Sequence, residues 1–540
     1  MPVNVIDDSH VKVLQYTYDQ IPQFAQRDKD YQLEPEKFLP FLSFLPNYDG
    51  ISKAITQRST FTTDRLLLKS VLVKQYEHLA LTNKQQNHLD KIIEENTYTV
   101  TCAHQPCIFT GPAYYLYKIF STINLAEELS NKYPKQHFVP IFINGAEDHD
   151  FEEINHTTFF QKRVEWNENG KGPVGRYKLD NFSPVLEHLY NILGSSDKAI
   201  EIISASKLAI ENASNYNEFV HTFIHKLTAK YGILVLNMDN PSLKRAFIPI
   251  MEKELFENPS EALVLETQNK IEQLGFKAQA YPREINLFYF TEDGSRERIV
   301  FENNQFHVLT TNLFWTQDEM KTHLHQFPEK FSPNVVTRPL YQSLVLPDVA
   351  FIGGGGEIAY WMERKTQFDY FGLFFPCLIR RNSVILINKA VQKNMEKLSM
   401  NFDDFLLEED KIIHEYLLKN NSHHDELELE KKNIQESWNK LTVYFQNFDQ
   451  TLKGYMESEG TKVDKMLHHV EQKLFRVLKL QEETKINQIK NVKEKLFPGN
   501  NLQERVDNLL QYYIQEDFDL LDVLVKLLNP LEKDCKVLIF

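Results

Sequence analysis

The sequence predicts an α/β fold in which a parallel-sheet core carries antiparallel connective insertions and a long α-helical coiled-coil arm. Apolar, β-branched runs separated by segments of helical periodicity predict the parallel sheet. Alternating apolar segments joined by a turn at Asp293-Gly294 predict antiparallel insertions. Between 390 and 497 glycine nearly disappears and the apolar positions follow helical spacing, which predicts the arm.

The first elements of the core lie between residues 98 and 143. Residues 98–102 are β-branched and aromatic, helical periodicity runs from 114 to 129, and 138–143 is a continuous apolar run. Strand, helix and strand in this order favour parallel pairing with a right-handed connection. Ligands of such sheets bind at the carboxyl ends of the strands. The loops 103–113 and 144–156 leave these ends and are therefore candidate binding loops.

Later segments extend this pattern and predict the boundaries of the parts. A buried-strand pattern at 232–239 follows an amphipathic helix near 215–229, whereas 160–185 and 286–308 have hairpin patterns typical of a lid or subdomain. The expected parts are N-terminal helices with the first half of the core (1–157), a connective insertion (158–230), the core continuation (231–275), a second insertion with a β-hairpin (276–335), the second half of the core with a glycine-rich loop (336–389), the coiled-coil arm (390–497), and a C-terminal helix and strand that return to the core (498–540).

Composition argues against several classes of partner. The 540 residues carry a formal net charge of -15 with scattered basic residues, which makes nucleic acid an unsuitable partner. No segment has the roughly 18 uninterrupted apolar residues of a membrane span, and the first 24 residues lack the pattern of a signal peptide. Four irregularly spaced cysteines do not form a disulfide framework. A cytoplasmic protein with reduced thiols is expected.

The arm has an apolar seam that repeats in alternating steps of four and three. Such a seam favours a left-handed supercoil, either with a second helix of the same chain or with another subunit. The Phe497-Pro498 dipeptide ends the arm. The seam positions are Ile434, Trp438, Leu441, Phe445, Phe448, Leu452 and Tyr455, followed by Val463, Leu467, Val470, Leu474 and Val477.

The first candidate site is the loop from Ala103 to Pro112 together with Tyr114, Tyr117 and Lys118 on the following helix. A loop of this kind turns backbone N–H groups and a helix amino end towards an anion such as a carboxylate or phosphate, while its polar side chains add hydrogen bonds. The alternative interpretation is an ordinary strand-to-helix turn with a capping Thr and a Pro in the first turn.

The second candidate site is the acidic segment from Asn144 to His156, which has five acids and a histidine from Glu147 to Glu153. These side chains could hold an ammonium group or donate and accept protons. Metal binding is a competing idea because His149, His156 and the carboxylates are possible ligands, but their spacing is diagnostic of no ion. A solvated, acidic helix start is the third interpretation.

The third candidate site follows an apolar run and consists of four glycines, Gly353 to Gly356, before an apparent helix from Glu357. Glycines permit a ligand to approach the backbone closely. The run lacks the G-x-G-x-x-G spacing of dinucleotide sites, because Ile358 occupies the third place, and no Walker lysine follows. Arg380 and Arg338 could face a carboxylate or phosphate from other strand ends, and a surface ion pair is an equal alternative.

Taken together, these stretches resemble the bacillithiol-biosynthesis cysteine-adding enzymes, sometimes called cysteine ligases. The resemblance covers nearly the whole chain in the expected order. Departures occur at Ala103-His104-Gln105, where a small residue followed by Gln-Gln is common in the family, and at the four glycines, where Gly-Pro-Gly is more usual. The matching residues are His104-Gln105, Phe109 to Pro112, Lys118, Glu147 to Asp150, Glu152, Ile154, Asn155, Gly172 to Arg176, and Gly356 to Trp361.

The resemblance implies a Rossmann-like core related to class I aminoacyl-tRNA synthetases, connective insertions, a coiled-coil arm and a homodimer. It also implies the last step of bacillithiol synthesis, in which L-cysteine is attached to glucosaminyl-malate through an amide. Activation by ATP with magnesium is compatible with this chemistry, but the sequence identifies no cofactor. The alternatives are a class I synthetase-like nucleotidyl or aminoacyl transferase acting on another small acid, and a non-enzymatic coiled-coil scaffold.

The predicted roles follow from these three segments. We predict catalytic roles for His104, Asp148 and His149, with Asp148 and His149 positioning the amine and moving its proton. No metal ligands are predicted. The predicted substrate-binding residues are Gln105, Thr110, Gly111, Lys118, Asn144, Glu147, Asn155, Gly355, Gly356, Glu357, Tyr360 and Arg380.

Overall fold

The computed structural model describes residues 4–7, 11–420 and 422–540. Residues 1–3, 8–10 and 421, which belong to the predicted N-terminal part and arm, lie outside the described residues. The chain divides into two compact units, one formed mainly by residues 2–385 with 503–538, and the other by residues 386–502 with the last two residues.

Sixteen strands lie within the described residues and form three larger sheets and one hairpin. The strands are β1 (Asn4–Asp7), β2 (Lys12–Thr17), β3 (Thr97–His104), β4 (His137–Asn144), β5 (His156–Phe159), β6 (Lys162–Glu165), β7 (Leu234–Asn237), β8 (Leu287–Phe290), β9 (Arg296–Glu302), β10 (Gln305–Val308), β11 (Phe314–Trp315), β12 (Phe331–Pro333), β13 (Asp348–Gly353), β14 (Cys377–Arg380), β15 (Ser383–Ile387) and β16 (Asp534–Ile539).

The helices surround these sheets or form the arm. They are α1 (Gln26–Leu33), α2 (Tyr48–Arg58), α3 (Arg65–Gln75), α4 (Asn83–Lys91), α5 (Tyr114–Lys132), α6 (Phe151–Ile154), α7 (Ser183–Leu193), α8 (Asp197–Glu211), α9 (Tyr216–Thr228), α10 (Pro241–Phe256), α11 (Pro259–Glu272), α12 (Gln317–Gln326), α13 (Arg338–Val345), α14 (Gly355–Met362), α15 (Lys365–Phe371), α16 (Lys389–Leu398), α17 (Glu409–Lys419), α18 (Ser422–Phe448), α19 (Lys453–Gln481), α20 (Glu483–Leu496), α21 (Leu510–Tyr513) and α22 (Leu520–Leu527).

The core sheet has the strand order β14-β13-β3-β4-β7, and every pair in it is parallel. The central strands are buried over almost their whole length because helices cover both faces, which explains the continuous apolar runs in the sequence. Helix α5 connects β3 to β4 and buries twelve of its nineteen residues. The predicted α/β fold with a parallel core is confirmed.

A buried carboxyl group fastens β13 to β3. Asp348 has no exposed surface and accepts hydrogen bonds from the hydroxyls of Thr99 and Thr101 and from the Gln342 amide. Burial raises the pKa of Asp348 to about 6, although these hydrogen bonds oppose the shift. Two of the three alternating threonines of β3 therefore satisfy this carboxyl, whereas Thr97 donates to the Lys91 carbonyl.

The insertions are antiparallel, as predicted, but the first contains less strand than expected. Of residues 160–185, only β6 joins a hairpin, with β5, and the remainder forms loops and the start of α7. The second insertion is a sheet of order β11-β10-β9-β8-β12. The expected hairpin around Asp293-Gly294 is confirmed, because β8 and β9 pair on either side of it.

The arm consists of an antiparallel pair, α18 and α19, joined by a short turn. Lys431 bonds Glu471, Gln435 donates to Asp464 at 3.1 Å, and the Trp438 indole donates to the Met456 carbonyl at 3.3 Å. Helix α18 therefore contacts a second helix of the same chain, one of the two alternatives that the sequence left open, but Ile434, Leu441 and Val470 of the seam stay exposed. Gly460 makes room for the Trp438 ring, since a Cβ there would lie 2.7 Å from the indole nitrogen.

All four cysteines are free and buried. Among the helices within the described residues, none is both long and apolar enough to cross a bilayer.

Replacing His221 should reduce the acid sensitivity of folding. His221 on α9 is buried beside Tyr76, and burial followed by the charge of His225 lowers its pKa to about 3, against roughly 6.5 when unfolded. As pH falls below 6.5 the unfolded chain binds a proton that the folded chain does not. The free energy of unfolding of the wild type therefore falls by about 1.4 kcal/mol per pH unit. The free energy of unfolding, measured with denaturant, should therefore rise by about 2 kcal/mol in His221→Phe relative to the wild type when the pH is lowered from 7.5 to 5.0.

Measuring the same pair of proteins at pH 7.5 supplies the control, because the histidine is neutral in both states there. An equal stability difference at the two pH values would show that His221 is protonated in the folded protein.

Candidate active site

Three strand ends form one edge of the core sheet. β3 ends at His104, β4 ends at Asn144 and β13 ends at Gly353. β4 and β13 flank β3 on opposite sides, so the strand order reverses at this point. Open α/β sheets bind ligands outside the carboxyl ends of the strands at such a reversal. The loops that leave these three strands are therefore the candidate active site.

Gln105 joins the loop after β3 to the acidic segment after β4. Its side-chain amide nitrogen donates to Asp148 Oδ2 at 2.8 Å and to Glu153 Oε2 at 3.0 Å. Gly145 is tight against the same loop, and its N–H donates to the His104 carbonyl at 2.7 Å. Two carboxylates separated along the chain therefore share one amide donor.

Lys118 joins the loop after β3 to the glycine turn after β13. Its ammonium is 1% exposed, donates to the Ala103 carbonyl at 2.8 Å and forms an ion pair with Glu357. The Glu357 carboxylate also accepts the Gly354 N–H at 2.9 Å. Burial raises the pKa of Glu357, but the charge of Lys118 and these hydrogen bonds outweigh it, so the pKa lies below the usual range. The pair is therefore charged and internally satisfied.

His104 is a neutral imidazole at the centre of this edge. Burial, followed by the nearby Lys118 charge, lowers its pKa to about 3. Its Nδ1–H donates to the Gln105 carbonyl at 3.1 Å, which leaves Nε2 as the basic nitrogen. Burial also raises the pKa of the Cys102 and Cys107 thiols to about 12, so both are protonated at neutral pH.

Asp148 is held as a carboxylate. The N–H groups of His149 and Asp150 donate to its Oδ1 at 2.7 and 3.2 Å. Burial raises the pKa of Asp148, but the Gln105 hydrogen bond, the Arg296 charge and the two backbone donors outweigh it, so the pKa is lowered. An ionised, partly exposed carboxylate can bind an ammonium group or accept a proton.

Glu147 belongs to a separate cluster of charged side chains, which also contains Lys244, Asp239 and Arg176. It forms an ion pair with Lys244, which is 1% exposed and also bonds Asp239 at 3.2 Å. Arg176 completes the cluster through two 2.8 Å bonds to Asp239. Both cations lie over the Phe290 ring, with Arg176 at 4.1 Å and Lys244 at 4.5 Å. The cluster links β7, α10 and the second insertion.

Thr110 and Gly111 have positive φ values of 65° and 53°. Asn508 holds this tight turn by donating to the Phe109 and Gly111 carbonyls, both at 2.8 Å. A residue 397 positions away thus stabilises a turn that threonine rarely adopts. The turn shapes the loop, and the Thr110 side chain is buried within it.

Asn144 and Asn155 are both buried and hold the ends of the acidic segment. Asn144 donates to Asn217 Oδ1 at 2.8 Å, and Asn155 accepts from His156 Nδ1 at 3.0 Å. Asn217 lies on α9, so the first insertion is tied to the end of β4. Both predicted substrate-binding asparagines are thus engaged by the chain itself.

The helix after the glycines begins at Gly355, two residues earlier than expected. A Cβ on Gly355 would overlap the Asp28 carboxylate, whereas one on Gly356 would meet no atom within 4 Å. Glu357 caps the same helix end through Gly354. Carboxylates of the chain itself therefore occupy the space around a helix amino end that the sequence suggested for a ligand.

Arg380 and Tyr360 also have partners within the chain. Arg380 is 1% exposed and bonds Asp28 at 3.2 Å and Ser383 Oγ at 3.1 Å. Tyr360 accepts from the Arg338 guanidinium, and burial raises its pKa to about 12. Arg380 is therefore buried beside the glycine turn and engaged by Asp28, while Tyr360 lies one helical turn after Glu357.

The structure brings most of the predicted residues to one edge but reveals partners that sequence reasoning missed. No local signal marks Asp28, Lys244, Arg296 or Asn508 as part of the site, since each meets it from a distant element. Only Arg176 carried a signal, as part of a matching motif. Within residues 4–7, 11–420 and 422–540, no group of three or more His, Cys, Asp or Glu side chains could hold a metal ion.

Comparison with known proteins identifies two matching family domains. "Bacillithiol biosynthesis BshC, N-terminal Rossmann-like domain" matches residues 11–382, and "Bacillithiol biosynthesis BshC, C-terminal coiled-coil domain" matches residues 384–540. The resemblance inferred from the motifs is therefore confirmed, together with the Rossmann-like and coiled-coil parts of the fold.

Curated relatives match over almost their full length. A Flavobacterium johnsoniae protein named "Putative cysteine ligase BshC" is 33% identical over 97% of this chain and 98% of that protein. A Flavobacterium psychrophilum protein of the same name is 34% identical over 95% of this chain and 97% of its own length. One from Bacillus cytotoxicus is 26% identical over 83% of this chain and 87% of its own length.

Gly355→Ala and Gly356→Ala should have opposite effects on stability. The first adds a methyl group where the Asp28 carboxylate lies, so overpacking should destabilise the chain by about 1–3 kcal/mol. The second adds a methyl group in open space within a helix, which should be neutral or stabilise by up to about 1 kcal/mol. Thermal unfolding of both variants measures the difference. Equal unfolding temperatures would show that Asp28 does not pack against this turn.

Proposed function

Because the chain belongs to the bacillithiol biosynthesis BshC family, we propose that it is a cysteine ligase that joins L-cysteine to glucosaminyl-malate. The bond formed is an amide between the cysteine carboxyl group and the amino group of the sugar, with loss of one water overall. This reaction is the last step of bacillithiol synthesis, and we place it in the cytoplasm.

The observation that carries the proposal is the convergence of three distant loops at one strand-order reversal. Gln105 bridges the first loop to Asp148 and Glu153, and Lys118 bridges it to Glu357. These contacts span 43 to 239 residues along the chain. A scaffold protein has no need to gather polar side chains at this edge, whereas a reaction between two small polar substrates does.

The charge of the acidic segment favours an amine at this edge. Asp148 is ionised, and Asp150, Glu152 and Glu153 add further carboxylates that lie on the exposed side of the segment. Both substrates carry amino groups. We assign Asp148 to the amino group of a substrate, and His104, whose unprotonated Nε2 can accept a hydrogen bond, to the reacting groups beside it.

The residues assigned above to the substrates do not identify what activates the carboxyl group. A carboxylate must be activated before it condenses with an amine in water, and ATP with magnesium could supply that activation. The turn after β13 does not fit a nucleotide phosphate, because the Asp28–Arg380 and Lys118–Glu357 ion pairs already occupy the space beside it. We therefore assign no nucleotide to this turn.

The function is tested by incubating the purified chain with L-cysteine and glucosaminyl-malate, with and without ATP and magnesium, and following the product by mass. We expect a product whose mass is the sum of the two substrates less one water. Replacing L-cysteine by L-serine in a parallel reaction tests whether the thiol is recognised. If no condensation product forms in any mixture that contains correctly folded protein, the proposed ligase activity is wrong.

Asp148→Asn should lower the rate of cysteine addition by about 100-fold, because it removes the negative charge while keeping the size of the side chain. Asp150→Asn is the matched control, since Asp150 is the next acid along the segment and Gln105 donates to Asp148 and Glu153 instead. The two variants should differ by at least about tenfold in initial rate. Equal rates would remove Asp148 from the reaction.

We also propose that the chain is a homodimer that pairs through the arm. Although α18 and α19 pack together, many of their apolar side chains remain more than a third exposed, which is typical of a surface that a partner covers. These residues are Leu429, Ile434, Leu441, Val443, Tyr444, Phe445, Phe448, Tyr455, Met466, Val470, Val477 and Leu480.

The variant Leu441→Glu/Val470→Glu should be a monomer, because it places two charges in this apolar surface. Light scattering should give a mass near 64 kDa for the variant and twice that for the wild type. Lys465→Glu, an exposed polar position on the same helix, is the control that should retain the wild-type mass. A wild-type mass of one chain would exclude the proposed dimer.

A further inference from the structure

Arg296 connects the second insertion to the acidic segment. Its guanidinium donates to three acceptors, namely Ser332 Oγ at 3.0 Å, the Pro333 carbonyl at 2.8 Å and His149 Nδ1 at 2.8 Å. It also lies over the Phe288 ring at 4.1 Å. The Arg296 side chain, which extends from β9, is therefore held in place by residues of β8 and β12.

The contact with His149 determines which ring nitrogen carries the proton. An arginine side chain remains protonated and can only donate hydrogen bonds. Nδ1 of His149 must therefore accept, and the neutral ring carries its hydrogen on Nε2. The one basic nitrogen of His149 is occupied by Arg296, so the exposed ring offers a donor to a ligand.

Building on the proposed ligase function, we propose that Arg296 is a positioning residue that makes His149 a hydrogen-bond donor to a carboxylate oxygen of a substrate. Under this assignment His149 does not remove a proton from the attacking amine. The second insertion thereby contributes to the active site, although none of its residues was predicted there. The role assigned to His149 from sequence, moving the proton of the amine, is replaced by recognition of an anion.

The charges around His149 are consistent with a neutral ring. Burial and then the Arg296 charge lower the pKa of His149, while Asp148 and Asp150 on its own segment and Glu297 on β9 act in the opposite direction. The net pKa is below the ordinary value, so the ring is uncharged at neutral pH. The Phe288 ring packs against the imidazole, with centroids 5.4 Å apart, and adds no charge.

His149→Gln and His149→Ala separate a donor from a base. Glutamine has an oxygen that can accept from Arg296 and an N–H that can donate, but no basic nitrogen. We expect His149→Gln to keep the rate of cysteine addition within about tenfold of the wild type and His149→Ala to lose about 100-fold, the usual cost of removing one such donor. Equal losses in two folded variants would show that His149 acts as a base.

The tautomer itself can be read without any enzymatic activity. In the full-length chain labelled with nitrogen-15 in its histidines, the ring-nitrogen shifts of His149 should show a hydrogen on Nε2 and a bare Nδ1 at pH 7.5. Arg296→Gln should raise the pKa of His149, and Arg296→Lys, which keeps a charged donor, should restore part of the lowered value. Arg298→Gln, two residues along the same strand, is the matched control and should leave the His149 titration unchanged.

The activity assay and the histidine spectrum test the proposed function and the Arg296 contact separately. If the chain does not condense cysteine with glucosaminyl-malate, the proposed function is wrong, but the histidine spectrum still tests the Arg296 contact. A hydrogen on Nδ1, or a His149 titration that Arg296→Gln leaves unchanged, would overturn the positioning role even in an active enzyme.

Discussion

The pairing of β3 between β4 and β13 is the constraint on which the rest of the site depends. β3 pairs with β4 over eight residues, from Thr97↔His137 to His104↔Asn144, so the ends of the two strands are level. A shift of one residue would turn the alternate side chains of β3 to the opposite face. Asp348 on β13 opposes such a shift, because its buried carboxyl group accepts hydrogen bonds from the Thr99 and Thr101 hydroxyls, and a shift would break these bonds.

Most charges at this edge are neutralised within the chain before any substrate arrives. The buried cations Lys118 and Lys244 each contact a carboxylate, and removing one member of a buried pair typically costs about 3–5 kcal/mol. These pairs therefore hold the loops in position. The groups left accessible are mainly the acids from Asp148 to Glu153 and the His149 ring, which gives the edge a surplus of negative charge.

The sequence could predict the sheet and the approximate edge of the site but few of its bonds. Continuous apolar runs identify buried parallel strands, and parallel topology alone places the ends of β3, β4 and β13 together. The contacts of Arg296 with His149 and of Asn508 with Gly111 could not be predicted, because the partners are 147 and 397 residues apart along the chain. The prediction of hairpins through the first insertion was wrong over most of residues 160–185. Short stretches of alternating apolar and polar residues lie in loops there, although the same pattern is also typical of strands.

The glycine turn shows why a motif needs its surroundings before it indicates a ligand. Glycines before a helix expose N–H groups that attract an anion, and this chain satisfies that attraction with its own carboxylates. Asp28 lies against Gly355 and also bonds Arg380, so the space beside the helix is filled by an ion pair. An anionic substrate group must therefore be recognised elsewhere on the edge. Among the predicted catalytic residues, His149 offers an exposed donor because Arg296 occupies its other nitrogen.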